Sequence, residues 1–145
     1  MNTVAETMTT DVVSVDPQNS VATAIRLMRT GHLRRLPVVE DGKLVGIVTS
    51  GDVRRITGMS SVVRDSSGDN FLWQHIPVVN VMTTEVITTS PGASIADAAR
   101  LMIERKIGGL PVVEQGRLVG ILTTSDLLVA LIDCEHSIER LAELA

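Results

Sequence analysis

Residues 36–52 read LPVVEDGKLVGIVTSGD, and residues 110–126 read LPVVEQGRLVGILTTSD. The two stretches are similar and lie 74 residues apart. The similarity extends without a gap over residues 8–56 and 82–130, with 23 of 49 positions identical. Such repetition indicates a duplicated structural unit. In each copy two apolar runs flank a short turn that contains glycine, a pattern that predicts a β-hairpin.

Outward from the hairpin, both copies predict the same further elements. A short extended stretch (residues 12–15 and 86–89) leads to a helix that begins at Ser20 in one copy and at Ser94 in the other. Serine is a favoured N-cap, and apolar residues follow it at helical spacing. A second helix begins near Asp52 and near Asp126. The unit is therefore β-α-β-β-α, which predicts an α+β fold, and its roughly 50 residues are too few to bury both faces without the second copy.

The composition excludes several classes of protein. Of the 145 residues 44% are hydrophobic, yet only Phe71 and Trp73 are aromatic, so the core must be aliphatic. The net charge of −4 argues against general nucleic-acid binding, which needs a basic face. Cys134 is the sole cysteine, which excludes an intramolecular disulfide. There is no apolar run of membrane-spanning length and no signal-peptide pattern, so we expect a cytoplasmic protein without a membrane partner.

The repeat predicts a division of the chain into four parts. These are domain 1 (residues 1–58), a linker (59–77), domain 2 (78–132) and a helical tail (133–145). The linker holds both aromatic residues, and two interpretations are open for them: a plug that packs over an edge of the fold, or a lid or partner contact. Residues 127–132 are apolar without interruption, which indicates a helix buried on all sides. We therefore expect a homodimer, with this helix and the tail at the interface.

Each copy resembles a CBS domain, the unit named after cystathionine β-synthase, and the tandem resembles the paired arrangement called a Bateman module. The resemblance rests on features found twice in the same order: Met-Thr, Pro, the Ser-capped helix, Leu-Pro-Val-Val, and Gly-x-x-Thr followed three residues later by Asp. It implies two domains packed through their sheets as one pseudo-symmetric module, and modules that commonly pair into a flat dimer. It also implies a cleft between the domains that binds adenosine-containing ligands such as AMP, ADP, ATP or S-adenosylmethionine.

The resemblance assigns the ribose and phosphate contacts to Thr49 and Asp52 in one copy and to Thr123 and Asp126 in the other. A carboxylate can accept bonds from both cis hydroxyls of a ribose, and a strand-to-helix junction offers N–H groups to an anion. The alternative is a structural role, because Thr-x-x-Asp at a helix start also suits a capping arrangement.

Basic residues are concentrated in the first copy. His32, Arg34 and Arg35 precede its hairpin, whereas the second copy has Gly108 and Gly109 in place of the two arginines. Guanidinium groups suit phosphate oxygens, so these three residues form the predicted phosphate cluster. A solvated basic face is the alternative, and for Arg54 and Arg55 it is at least as good an interpretation.

By resemblance, adenine lies against the first strand and the Leu-Pro pair of each copy. An aliphatic slot with backbone hydrogen bonds does not discriminate among adenosine ligands, and core packing explains the same side chains equally well. The residues so assigned are Asp11, Val12, Val13, Leu36 and Pro37 in the first copy, and Glu85, Val86, Ile87, Leu110 and Pro111 in the second.

No catalytic motif stands out, and the three histidines share no metal-ligand spacing. We therefore expect neither an enzyme nor a metal protein, and no required cofactor. The first hypothesis is a regulatory module that senses an adenine nucleotide or S-adenosylmethionine and acts on a protein partner in trans. The second is a structural dimerisation or interaction module whose ligand sites are vestigial. Nucleic-acid binding through the arginines of the first copy is a weaker third.

Overall fold

The computed structural model describes residues 3–58 and 73–144. In these ranges helices and strands are mixed, which confirms the α+β class. The helices are α1 (Val4–Thr7), α2 (Val21–Gly31), α3 (Ser50–Thr57), α4 (Ile95–Arg105) and α5 (Thr124–Leu144), the strands are β1 (Arg35–Glu40), β2 (Lys43–Thr49), β3 (Gly109–Glu114) and β4 (Arg117–Thr123), and a 3-10 turn spans Val78–Asn80.

Two compact units divide the chain. Unit 1 comprises Met1–Val12 and Ile87–Ala145, and unit 2 comprises Val13–Val86. The boundaries of the units therefore differ from those of the two sequence copies. Met8-Thr9, at the start of the first copy, lies in unit 1 with the second copy, and Met82-Thr83, at the start of the second copy, lies in unit 2 with the first. The domain boundaries predicted from the repeat, residues 1–58 and 78–132, describe the two sequence copies and stay a prediction.

Unit 2 is built around the hairpin of β1 and β2. The strands pair antiparallel, and the turn residues Asp41 and Gly42 have φ angles of 52° and 82°. Positive φ at both positions is the signature of a type I′ turn, whose twist matches that of the strands. Val15 pairs parallel with Val38 on one side of the hairpin, and Thr83 pairs antiparallel with Ile47 on the other. Extended segments thus flank the hairpin on both sides.

Unit 1 repeats this arrangement with the second copy. Strands β3 and β4 pair antiparallel, and Gln115 and Gly116 take φ angles of 52° and 80° in the turn. Thr89 pairs parallel with Val112, and Thr9 pairs antiparallel with Ile121. The hairpins predicted from the repeat are therefore confirmed in both copies.

The predicted helix starts are confirmed as well. Ser20 accepts a hydrogen bond from the backbone N–H of Thr23, and Ser94 accepts one from that of Asp97. Behind these helices each unit has its own aliphatic core. The buried residues are Val15, Val21, Ala24, Ile25, Met28, Leu36, Val38, Val48, Val53 and Val78 in unit 2, and Val4, Ala98, Met102, Leu110, Val112 and Leu122 in unit 1.

Trp73 is half-buried and packs against the core of unit 2. This placement favours the interpretation of the linker aromatic residues as a plug. Among the described residues its indole N–H, although buried, has no hydrogen-bond acceptor. Phe71, the other aromatic residue for which this role was predicted, lies outside the described residues.

Glycine in the middle of β2 and β4 lets the Met-Thr segment approach closely. A Cβ on Gly46 would lie 2.5 Å from Sδ of Met82 and 3.0 Å from the carbonyl oxygen of Thr83. A Cβ on Gly120 would lie 2.5 Å from Sδ of Met8 and 3.0 Å from the carbonyl oxygen of Thr9. The Met-Thr and Gly features of the repeat are therefore in contact with each other, although 36 and 112 residues separate them in sequence.

We expect Gly46→Ala and Gly120→Ala each to lower the free energy of unfolding by about 1–3 kcal/mol, because an added methyl group overpacks this contact. Gly92→Ala is the matched control, since a Cβ there meets nothing within 4 Å and its φ is not positive. Urea denaturation of the three variants measures the effect. Equal stability of all three variants would contradict the close-approach argument.

Candidate functional site

The candidate site of unit 2 forms where β2 runs into α3. Thr49 is the N-cap of α3, and its Oγ1 accepts a bond of 3.1 Å from the backbone N–H of Asp52. In return Oδ2 of Asp52 accepts a bond of 3.0 Å from the backbone N–H of Thr49. These two bonds make a capping box, so the structural alternative for Thr-x-x-Asp is realised. A carboxylate has about four lone-pair sites, and the cap occupies one of them.

The remaining capacity of Asp52 is largely used within unit 2. Nη2 of Arg55 donates to Oδ1 at 2.7 Å, and the hydroxyl of Thr83 lies 3.3 Å from both carboxylate oxygens. Asp52 is only 4% exposed, whereas the side chain of Arg55 is 66% exposed. Arg55 therefore covers a buried carboxylate from the solvent side.

The corresponding junction in unit 1 lies between β4 and α5. Oδ2 of Asp126 accepts bonds from the backbone N–H of Thr123 at 2.9 Å and from its hydroxyl at 3.1 Å. Oδ1 accepts from the hydroxyl of Thr9 at 3.0 Å. In place of Arg55 the second copy has Val129, which carries no donor. Asp126 is accordingly held by its own unit but has no cationic partner among the described residues.

Asp126 lines a cavity of about 240 Å³ within unit 1. Its walls come from α1 and from the first three turns of α5, and they include apolar and acidic side chains. The lining residues are Glu6, Thr7, Asp126, Val129, Ala130 and Asp133. Asp126 and Val129 therefore both lie in the wall of this cavity.

Each helix start also has backbone N–H groups in the first turn. In α3 the N–H of Ser50 donates to the carbonyl of Arg34 at 2.8 Å, and in α5 the N–H of Thr124 donates to the carbonyl of Gly108 at 3.1 Å. Within the described ranges, the next N–H groups, of Gly51 and Ser125, have no acceptor. Such a group at a helix N-terminus favours an anion or a polar ligand atom.

The predicted arginine pair lies beside the start of α3. Arg35 pairs with Thr49 in the hairpin, and the Arg34 carbonyl accepts a hydrogen bond from the N–H of Ser50. Partial burial lowers the pKa of the Arg35 guanidinium from its ordinary value, and the like charge of Arg34 adds to that effect. Among the described residues neither arginine forms an ion pair, so the charge of a bound anion would offset both effects.

Comparison with known proteins identifies the unit. The sequence profile of the CBS domain matches residues 4–57 and 74–133. The chain belongs to the CBS-domain family. The CBS domain-containing protein YhcV of Bacillus subtilis (strain 168) is 36% identical over 129 residues, which are 89% of this chain and 85% of YhcV. Several other curated relatives are longer, and the chain spans 22–46% of the length of five of them.

Two solved CBS structures similar to this chain contain adenosine compounds. CBSX2, in complex with AMP, superposes with a TM-score of 0.78 and 28% identity over 93% of this chain and 99% of CBSX2. The CBS domain pair of MJ0100, in complex with 5′-methylthioadenosine and S-adenosyl-L-methionine, gives a TM-score of 0.70 and 25% identity over 89% of this chain and 94% of that one. CBS pairs are typically regulatory rather than catalytic.

The residues assigned to adenine differ in how far they are exposed. Asp11, Val13 and Glu85 are exposed, whereas Leu36 and Leu110 are fully buried core residues. The carbonyls of Pro37 and Pro111 already accept bonds from the N–H groups of Val15 and Thr89. The Leu-Pro pairs therefore leave a ligand little to contact, because their leucine side chains are buried and their proline carbonyls already accept hydrogen bonds. Val12, Val86 and Ile87 are half-buried, and the division into units places Asp11 and Val12 in unit 1 and Val13 in unit 2.

His32 has a backbone role. It is the C-cap of α2 in the left-handed conformation, with φ of 52°, and its N–H bonds to the carbonyls of Arg29 and Met28. Lys106 does the same after α4 with φ of 56°. The conformation is therefore a feature of both copies, and it neither requires nor excludes a phosphate contact by the exposed imidazole.

Thr9 and Thr83 are candidate site residues that sequence reasoning missed. Both reach the capping carboxylate of their unit, as the hydroxyl contacts above show. The signal in the sequence is the recurrence of these threonines in the Met-Thr pair of both copies. In the described ranges, no helix is long and apolar enough to cross a membrane, and no three His, Cys, Asp or Glu side chains are placed so that together they could hold a metal ion.

Proposed function

We propose that this chain is a regulatory module that binds an adenosine-containing ligand at the Thr-x-x-Asp junctions and acts on a protein partner in trans. The observation that carries the proposal is the pair of fixed carboxylates, Asp52 and Asp126, each beside a helix-start N–H group without an acceptor among the described residues. A ribose diol suits the carboxylate, and a polar ligand atom suits the N–H. AMP and S-adenosyl-L-methionine in the CBS structures above support this ligand class.

A thermal-shift panel of AMP, ADP, ATP, S-adenosylmethionine and NADH tests the proposal. Ligand at 100 times its Kd stabilises the folded state by about 2.7 kcal/mol, which raises the Tm of a chain this size by roughly 5–10 °C. Asp52→Ala together with Asp126→Ala should abolish the shift. Ser20→Ala is the control, because it removes an N-cap worth about 1 kcal/mol from α2, a helix that carries neither carboxylate.

The control keeps loss of binding separate from loss of stability. Ser20→Ala should lower the Tm of the free protein and still show the full ligand shift. If the double aspartate variant also keeps the shift, the site assignment is wrong. If no compound shifts the unmodified protein, the second hypothesis of a structural module with vestigial sites is favoured.

The phosphate contact is proposed for unit 2, where Arg34 and the partly buried Arg35 lie beside the start of α3. Arg34→Ala combined with Arg35→Ala should weaken AMP binding about tenfold more than adenosine binding, because only AMP carries the anion. Titration calorimetry with both compounds measures the difference. Lys43→Ala, an exposed cation at the hairpin turn, is the charge control. Equal loss for both compounds would contradict a phosphate role.

A second copy of the chain is the proposed partner of α5. Leu128, Leu131, Ile132 and Ile138 fall on one face of this helix and are 54–60% exposed. Leu127 of this helix packs against the core of unit 1, but within the described ranges the other apolar stripe stays largely exposed. An isologous contact covers the same stripe on both copies at once, which suits a stripe on a single long helix.

Leu131→Glu combined with Ile138→Glu should convert the dimer to a monomer, because it places like charges at the symmetric contact. Sedimentation at micromolar concentration measures the mass. Ile103→Glu is the control, since this residue is 76% exposed and belongs to α4 and not to the stripe on α5, so its replacement should leave the dimer intact. A monomeric unmodified protein at that concentration would contradict the proposed dimer.

A further inference from the structure

Asp52 and Asp126 are held by the same capping hydrogen bonds, but the residue three positions further along the helix differs between the two copies. The cap bonds from Thr49 to Asp52 and from Thr123 to Asp126 agree within 0.2 Å for the backbone pairs. The threonines of the two Met-Thr segments reach both carboxylates. Position 55 in unit 2 is an arginine bonded to Oδ1, whereas its equivalent, position 129, is a valine.

The difference between Arg55 and Val129 coincides with a difference in access to the two carboxylates. Asp126 is half-buried and shares the cavity of about 240 Å³ with Val129. Asp52 is 4% exposed, and the guanidinium of Arg55 occupies the solvent side of its carboxylate at 2.7 Å. A ribose that binds Asp52 competes with the charge-assisted hydrogen bond from Arg55, whereas a ribose that binds Asp126 competes with no cation among the described residues.

We propose that Arg55 is an affinity-determining residue that closes Asp52 to ribose, so that the unit-1 carboxylate takes an adenosine ligand first. For a ligand without a phosphate, the residues at positions 55 and 129 set the order in which the two sites fill. The inference rests on the proposed function, because it presupposes that these carboxylates accept ribose hydroxyls. It adds that the duplicated sites are unequal and names the side chain responsible.

Reciprocal exchange of the two residues tests the inference. The variants are Arg55→Val, Val129→Arg and the double exchange, and each changes an exposed helix position that tolerates substitution. Adenosine is the probe, since it carries the ribose without a phosphate that would attract arginine. Amide shifts of Gly51 and Ser125 in a ¹⁵N-labelled sample report the two sites separately during one titration.

In the unmodified protein the Ser125 amide should respond at about tenfold lower adenosine concentration than the Gly51 amide, the ratio expected for one largely exposed charge-assisted bond. Arg55→Val should bring the Gly51 titration close to that of Ser125, and Val129→Arg should weaken the Ser125 response about tenfold. The double exchange should invert the order. Arg26→Val, which removes an exposed charge from α2 of the same unit, should leave the order as it is.

Two failures are distinguishable. If both amides titrate together in the unmodified protein, or if Arg55→Val leaves their ratio unchanged, the inference is wrong and the proposed function stands. If neither amide responds to adenosine, AMP or S-adenosylmethionine in any variant, the proposed function is wrong and the inference falls with it.

Discussion

Both candidate sites depend on one interaction, the bond between the carboxylate in the first turn of a helix and the backbone N–H of the threonine that precedes it. The bond satisfies a donor that the end of the strand would otherwise leave open, and it places negative charge at the positive end of the helix dipole. Because the fold needs this bond, the carboxylate is held in place before any ligand arrives. A site built on a cap is therefore preorganised without a separate supporting network.

The second constraint is the close approach of the Met-Thr segment. Its pairing with β2 or β4 requires glycine on the strand and brings a threonine hydroxyl to the capping carboxylate. Stability and site geometry are thereby linked, because the segment that closes the edge of the hairpin also completes the site. In unit 2 the segment lies 31 residues after the aspartate, and in unit 1 it lies 117 residues before it.

That distance explains what could be predicted from the sequence. Turns, caps and hairpins depend on neighbouring residues, so Asp41-Gly42, Ser20 and Ser94 were readable from the pattern. Thr9 and Thr83 were not, because their role arises from pairing with a distant strand. Arg55 was ambiguous for the same kind of reason: its spacing fits a solvated helix face, and only its contact with a buried carboxylate distinguishes it. The burial of Leu36 and Leu110 likewise follows from packing.

The two copies share the residues that hold the capping carboxylate and differ in the residues around it. The residues that hold the carboxylate are the same in both units, since each is needed to start a helix or pair a strand. The residues that contact solvent at the same junction differ: arginines at 34, 35 and 55 in unit 2 are replaced by two glycines and a valine in unit 1. A change at these positions costs little stability because they are exposed or only half-buried, whereas a change in the cap costs about 1 kcal/mol. These exposed positions are therefore where the two copies can diverge at least cost to the fold. If the junctions bind ligands as proposed, this is the physical reason to expect two unequal sites on one repeated scaffold.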